Sequence, residues 1–186
     1  MVRRTIILLA FTALATSHAA LDLNPRPHTF EVEGHQIADV AFKYGSKLVT
    51  YSPPDGWRVN GSETQLQLIP AIAQAEALID REAKSDDTFT PEVVASLKQE
   101  ILAKLPKGVT AIEWSEGRDN PLQICGRPTF EMEVAYSAFG KRFRSSVLVC
   151  NFAEEQLRFR VVAPESDFAR VYGPFRQSLY TLAGLD

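Results

Sequence analysis

Between Thr129 and Ala163 apolar and polar residues alternate with a period of two over three strand-length segments, a pattern that predicts an antiparallel meander with one apolar face. Phe130, Met132, Val134 and Tyr136 alternate with Thr129, Glu131, Glu133 and Ala135. A two-residue hairpin loop at Phe139-Gly140 would set Ala138 opposite Lys141. The pairs Tyr136/Phe143, Val134/Ser145, Met132/Val147 and Phe130/Val149 then follow. A second turn around Ala153-Glu154-Glu155, if its loop is odd, sets Phe159 opposite Val149 and Val161 opposite Val147. An even loop would turn Arg158 and Arg160 onto the core face, and a one-residue slip of that kind is strongly penalised where a single face is buried. The odd loop is therefore the expectation.

The N-terminus carries Arg3 and Arg4, an apolar run from Ile6 to Ala15, and Ser17-His18-Ala19 with small residues where a signal peptidase reads. This predicts a signal peptide over residues 1–19 and an exported, periplasmic or secreted protein. The run is shorter than the ~20 residues that span a bilayer, and no second apolar segment follows, so a transmembrane anchor is not expected. Removing residues 1–19 from the 186 leaves 167, and losing two arginines takes the net charge from −3 to −5. One domain over residues 30–186, after an extended leader at 20–29 held by Pro25 and Pro27, suits that length. The acidic balance argues against nucleic acid as a partner.

Cys125 and Cys150 are the only cysteines, and export makes a disulfide between them plausible. Cys150 falls opposite Thr129, so a straight strand would carry Cys125 about 13 Å past it, beyond the ~7 Å a bridge permits. A bend at Gly126-Arg127-Pro128 would bring it back. The alternative is two thiols, one of them buried. A redox role is not indicated, since no C-x-x-C pair is present.

Along the chain, Phe30-Glu31-Val32 reads as a short strand, Ile37 to Tyr44 as strand or helix, and Leu48 to Tyr51 as strand. Ser52-Pro53-Pro54-Asp55-Gly56-Trp57 stops that strand and turns the chain. Thr64 to Ile69 alternates as a half-exposed strand, whereas Ala71 to Ala83 fits either strand or helix and leans to strand. Thr90-Pro91-Glu92 combines an N-cap, a proline at the first helical position and an early acid, and Val94, Leu97, Ile101 and Leu105 then recur at helical spacing. Val109 to Glu116 reads as a strand carrying Trp114. After the meander, Phe168, Val171, Tyr172, Phe175, Leu179 and Leu182 form a helical stripe. Gly173-Pro174 predicts an interruption, with a fresh helix starting at Pro174.

Four of these features together resemble the PsbP-like domains, a fold shared by a photosystem II extrinsic protein and bacterial envelope proteins of the DcrB type. They are Tyr51 to Trp57, matching a strand that runs into P-x-G-W, the helix Thr90 to Leu105, the meander Thr129 to Ala163, and the closing helix Phe175 to Thr181. The resemblance implies an α+β fold, an antiparallel sheet with its C-terminal meander flanked by helices as an α/β/α sandwich. For most bacterial members it also implies a non-catalytic role in the envelope. It assigns no functional residue.

Chemistry-bearing patterns are sparse. After residue 19 the histidines are His28 and His35, neither beside a candidate nucleophile, and no G-x-S-x-G occurs. Asp86-Asp87, Asp119-Asn120 and Glu154-Glu155 fit no metal-loop pattern, so no metal or other cofactor and no enzymatic activity are expected. Asn60-Gly61-Ser62 is a glycosylation sequon, meaningful only in a eukaryotic source. Arg142, Arg144, Arg158 and Arg160, interleaved with Leu148 and Phe152, make the candidate partner surface, although Glu131 and Glu133 on the same outer face would pair with the arginines. That face is covered either by a helix or by another protein. Trp57 and Trp114 are candidates to line a pocket, with core packing the commoner fate. The first functional reading is an envelope or accessory protein that binds another envelope protein; the alternative is a small-molecule carrier with a cleft between sheet and helix.

Overall fold

The computed structural model describes residues 20–84, 88–152 and 155–185. The expected signal peptide at 1–19 lies outside the described residues, as do Ser85 to Asp87 and Ala153-Glu154. A small antiparallel sheet contains β1 (Leu21–Val32), β2 (His35–Tyr44) and β3 (Lys47–Tyr51). A large antiparallel sheet contains β4 (Arg58–Gly61), β5 (Gln65–Ile69), β6 (Glu76–Ala83), β7 (Thr110–Trp114), β8 (Arg118–Asp119), β9 (Thr129–Ala138), β10 (Lys141–Asn151) and β11 (Glu155–Pro164). Its order is β4-β5-β6-β11-β10-β9-β7, with β8 also against β9. The helices are α1 (Pro91–Lys104) and α2 (Phe168–Ser178), and the fold is α+β as expected.

The first hairpin of the meander has the expected register: Ala138 faces Lys141, Tyr136 faces Phe143, Val134 faces Ser145, Met132 faces Val147 and Phe130 faces Val149. Phe139 and Gly140 both hold positive φ, as a two-residue hairpin turn of the primed kind requires. The second hairpin does not have the expected register. Asn151 pairs with Gln156 and Phe152 N–H donates to Glu155 O, so the loop is even. Phe159 therefore faces Leu148 and Val161 faces Ser146, while Arg158 faces Val149 and Arg160 faces Val147. Phe159 lies on the opposite face from Phe130, Val134 and Phe143.

The physical reason is that the large sheet is buried on both faces. On one face Phe130, Met132, Val134, Tyr136, Phe143, Val147 and Val149 pack under Leu97 and Ile101 of α1. On the other, Leu148, Cys150, Phe152, Leu157, Phe159 and Val161 pack with Phe168, Val171 and Phe175 of α2 and with Leu21, Phe42, Val49 and Tyr51 of the small sheet. The slip thus moves Phe159 and Val161 from one core into another, and the penalty expected for a single-faced sheet does not arise.

Each helix follows from local chemistry. Thr90 Oγ1 caps α1 by accepting from Val93 N–H at 3.4 Å, and Leu105-Pro106 ends it. α2 runs without a break through Pro174, contrary to the expected restart there. Gly173 precedes the proline, and without a Cβ it escapes most of the clash that drives other residues out of helical geometry before proline. The buried stripe Phe168, Val171 and Phe175 holds the helix on the sheet across that point.

Both ambiguous segments are strands: Ile37 to Tyr44 lies in β2, and Glu76 to Ala83 of the alanine-rich stretch is β6. The segment expected as an extended leader is extended, as the first part of β1, with Leu21 and Leu23 buried. Glu155 ties this strand to the large sheet. Its carboxylate accepts from Leu21 N–H at 3.3 and 3.4 Å and lies 3.8 Å from Arg81 Nε, while Arg81 Nη1 donates to Leu21 O at 2.7 Å.

Two outcomes are expected. Arg158 Nη1 meets Glu100 Oε2 of α1 at 2.5 Å, a contact available only with the even loop. A double-mutant cycle of Glu100→Gln and Arg158→Gln, read by urea unfolding, should give a coupling of ~0.5–1 kcal/mol. No coupling would contradict this register. Separately, burial pushes the Glu155 pKa up against the opposing Leu21 N–H and Arg81. A folded pKa above the unfolded one means that stability is fully present below the unfolded pKa and is lost as pH rises through the folded one. Between about pH 4 and about pH 7, Glu155→Gln should therefore lose less unfolding free energy than the parent; equal losses would refute the assignment.

Candidate functional site

The even loop places Arg158, Arg160 and Val162 on the α1 face of β11, opposite Asp80, Leu78 and Glu76 of β6. α1 buries only Leu97 and Ile101 fully, so its last turn leaves part of this face uncovered. The result is a cleft of about 360 Å³ between α1 and the sheet, at the small end of the ~300–1,000 Å³ usual for ligand pockets. Ile101, Leu105 and Pro106 form its helix side, and Tyr136, Phe143, Val147 and Val162 line the sheet side. Glu76, Asp80, Glu100, Lys104, Arg158 and Arg160 supply its charges.

Most of these charges are already engaged. Asp80 Oδ1 accepts from Gln65 Nε2 at 2.6 Å and Glu76 Oε2 from Gln67 Nε2 at 3.2 Å. Lys104 Nζ donates to Glu82 at 3.0 Å. Arg158 donates through Nε to Gln156 at 2.7 Å and through Nη1 to Glu100, and this pair separates the cleft from a more polar hollow of about 430 Å³ by Phe89 and Val93. Arg160 differs. Its Nε is buried without a hydrogen-bond partner, and its guanidinium makes no ion pair with any described residue. Glu76 and Asp80 lie diagonal to it across the β6–β11 ladder. Burial raises the Tyr136 pKa, with the Arg160 charge acting against it.

The six residues expected to share a partner surface are divided by the register. Arg142, Arg144, Leu148 and Phe152 belong to the α2 face; Arg158 and Arg160 belong to the α1 face. Leu148 is 4% and Phe152 2% exposed, so the chain's own elements cover them and no apolar patch is left there. Of the expected pairings with Glu131 and Glu133, that of Arg144 with Glu133 is present at 3.8 Å, whereas Arg142 lies 2.6 Å from Glu113 and Glu131 pairs with Arg118 and Arg176 instead. Neither tryptophan lines the cleft. Trp57 packs against the α2-side core, whereas Trp114 packs on the α1 side with Lys98 Nζ 5.6 Å from its ring centre.

A second charged cluster surrounds Glu131, whose carboxylate is buried beneath α2. It accepts from Ser146 Oγ at 2.5 Å, Tyr172 Oη at 2.6 Å and Arg176 Nη1 at 3.3 Å, and forms an ion pair with Arg118 at 2.9 Å. Burial first, and Glu131 second, push the Tyr172 pKa up. With both carboxylate oxygens filled, this cluster joins β9 to α2 and offers no open coordination.

No disulfide joins Cys125 and Cys150. The chain does bend back at Gly126: Ile124 and Arg127 exchange backbone hydrogen bonds around Cys125-Gly126, both at positive φ. The thiols nevertheless point to different carbonyls, Cys125 Sγ donating to Leu182 O at 3.2 Å and Cys150 Sγ to Pro128 O at 3.7 Å. The bend expected to close the bridge is used to dock the turn on the C-terminal segment instead.

Glu76, Asp80 and Lys104 escaped the sequence reading. A signal for the acids existed: Glu76-Leu78-Asp80 and Arg158-Arg160 share an i, i+2 spacing on two strands, a pattern suited to one common face.

No family model matches the chain, and no curated protein matches it by sequence. Among solved structures, the protein PA94 of Pseudomonas aeruginosa, of unknown function, is 14% identical with a TM-score of 0.46, covering 85% of this chain and 96% of its own. LpqN, involved in cell envelope biogenesis in Mycobacterium tuberculosis, is 15% identical with a TM-score of 0.48, covering 81% of this chain and 85% of its own. Similarity at this level transfers neither a fold nor a role to this chain.

Burial raises the Cys150 thiol to about 12. Without reductant, a thiol reagent should find two reactive groups per chain in denaturant, with Cys150 protected in the native protein at about pH 8. Finding none in denaturant would restore the disulfide.

Proposed function

We propose that this chain is an exported, non-catalytic domain that binds a small molecule in the cleft between α1 and the large sheet. The observation that carries this is Arg160, which lines an otherwise largely apolar cleft and whose guanidinium makes no hydrogen bond or ion pair with any described residue. A hydrogen bond to a charged group contributes about 1.5–3 kcal/mol, and a ligand acceptor in the cleft would supply one to the terminal nitrogens of Arg160. Binding rather than catalysis is favoured because each acid of the cleft already accepts from an amide or an arginine, and the chain's described histidines lie on β1 and β2 rather than at the cleft.

The reading as a protein-docking domain is the weaker one, since its apolar anchors, Leu148 and Phe152, lie under the chain's own elements. Export rests on the leader pattern at residues 1–19. Kinship with the PsbP-like domains rests on the order of strand, central helix, meander and closing helix.

A neutral apolar probe small enough for the cleft and fluorescent on leaving water, 1-naphthylamine, should bind saturably with one site per chain. Leu105→Trp, which fills the cleft from its helix side, should abolish that binding while leaving the unfolding midpoint close to the parent's. Absence of saturable binding, or binding indifferent to Leu105→Trp, would sink the proposal.

A further inference from the structure

We infer that the ligand of this cleft is an amphiphile with a single anionic head and a chain of about ten carbons, its head held by Arg160; this rests on the reading of the cleft as a binding site. Size comes first. A water molecule's share of its liquid is about 30 Å³, and at roughly one non-hydrogen atom in that volume, 360 Å³ accommodates about twelve atoms. A carboxylate on a ten-carbon chain has that size.

The head's place is set by what remains unpaired. Lys104 and Arg158 are spent on Glu82 and on Gln156 and Glu100. Arg160 retains its two terminal nitrogens, a pair that can grip a carboxylate or phosphate through two parallel hydrogen bonds. Glu76 and Asp80 flank it diagonally and cancel its long-range field, so recognition comes from those direct bonds and not from attraction at a distance. The same two acids disfavour a head with a second negative charge. The tail's place is the apolar wall of Tyr136, Phe143 and Val147 facing Leu105, which leads away from Arg160 beneath the last turn of α1. A carboxylate and a lipid-like phosphate monoester share this chemistry and differ in charge.

The test is calorimetric titration of the full chain after export with decanoate, decyl phosphate, 1-decanol and decylammonium, repeated on Arg160→Gln and Leu105→Trp. Decanoate should bind best. Arg160→Gln should weaken it roughly 10- to 100-fold, to the level of decanol, while leaving decanol unchanged. Decyl phosphate binding more tightly than decanoate would overturn the singly charged head, since a phosphate monoester carries nearly two charges at neutral pH. Decanol equal to decanoate in the parent, or decylammonium the tightest, would overturn the headgroup assignment while the cleft reading stands. No binding of any chain, or binding untouched by Leu105→Trp, would overturn the cleft reading itself.

Discussion

Six consecutive residues of β10, from Ser145 to Cys150, are buried, so this strand meets water on neither face and both sides of it must be roofed by other parts of the chain. α1 supplies one roof and α2 with the small sheet the other. The two roofs are unequal. α2 and the strands β1 to β3 close their side with Phe168, Val171, Phe175, Leu21, Phe42 and Tyr51, whereas α1 buries only Leu97 and Ile101 fully and packs Val94 and Leu105 part-buried beside them. A helix with so narrow a buried stripe cannot span the whole sheet, and the cleft is the part of the sheet it fails to cover.

What β11 presents to that uncovered part follows from its turn. With both faces buried, either parity of β11 finds apolar neighbours on β10, and the even loop gives Phe159 and Val161 to the better-roofed side. Arg158 and Arg160 are left on the thinly roofed side. Arg158 reaches Glu100 on α1 and pins the helix. Arg160, one pair further along the strand, has only diagonal acids and an apolar wall near it. Packing on the α2 side and charge exposure on the α1 side are thus one choice of register seen from two faces.

The elements themselves were readable from the sequence: the hairpin at Phe139-Gly140, the capped helix after Thr90 and the strand Gln65 to Ile69 all lie where periodicity and capping put them. The second hairpin was not, because an alternation argument needs one wet face to anchor it, and Val147 to Cys150 are apolar at both parities. Pro174 misled for a local reason, the absent Cβ of Gly173. The cleft was legible only in outline, as a gap between sheet and helix, since its lining comes from β6, α1, β9, β10 and β11 and depends on the register that parity alone could not choose. The thiols show the same limit: the bend at Gly126 was readable, but where it aims Cys125 depends on the docking of Leu182.

The register of β10 against β11 is the claim on which the cleft, the role of Arg160 and the two-sided core all rest. Cross-strand backbone contacts measured by nuclear Overhauser effects on isotope-labelled protein read it directly. The structure predicts contacts that link Leu148 with Phe159 and Val149 with Arg158. Contacts linking Val149 with Phe159 and Val147 with Val161 would contradict it, turning both arginines away from α1 and leaving the cleft without its unpaired guanidinium.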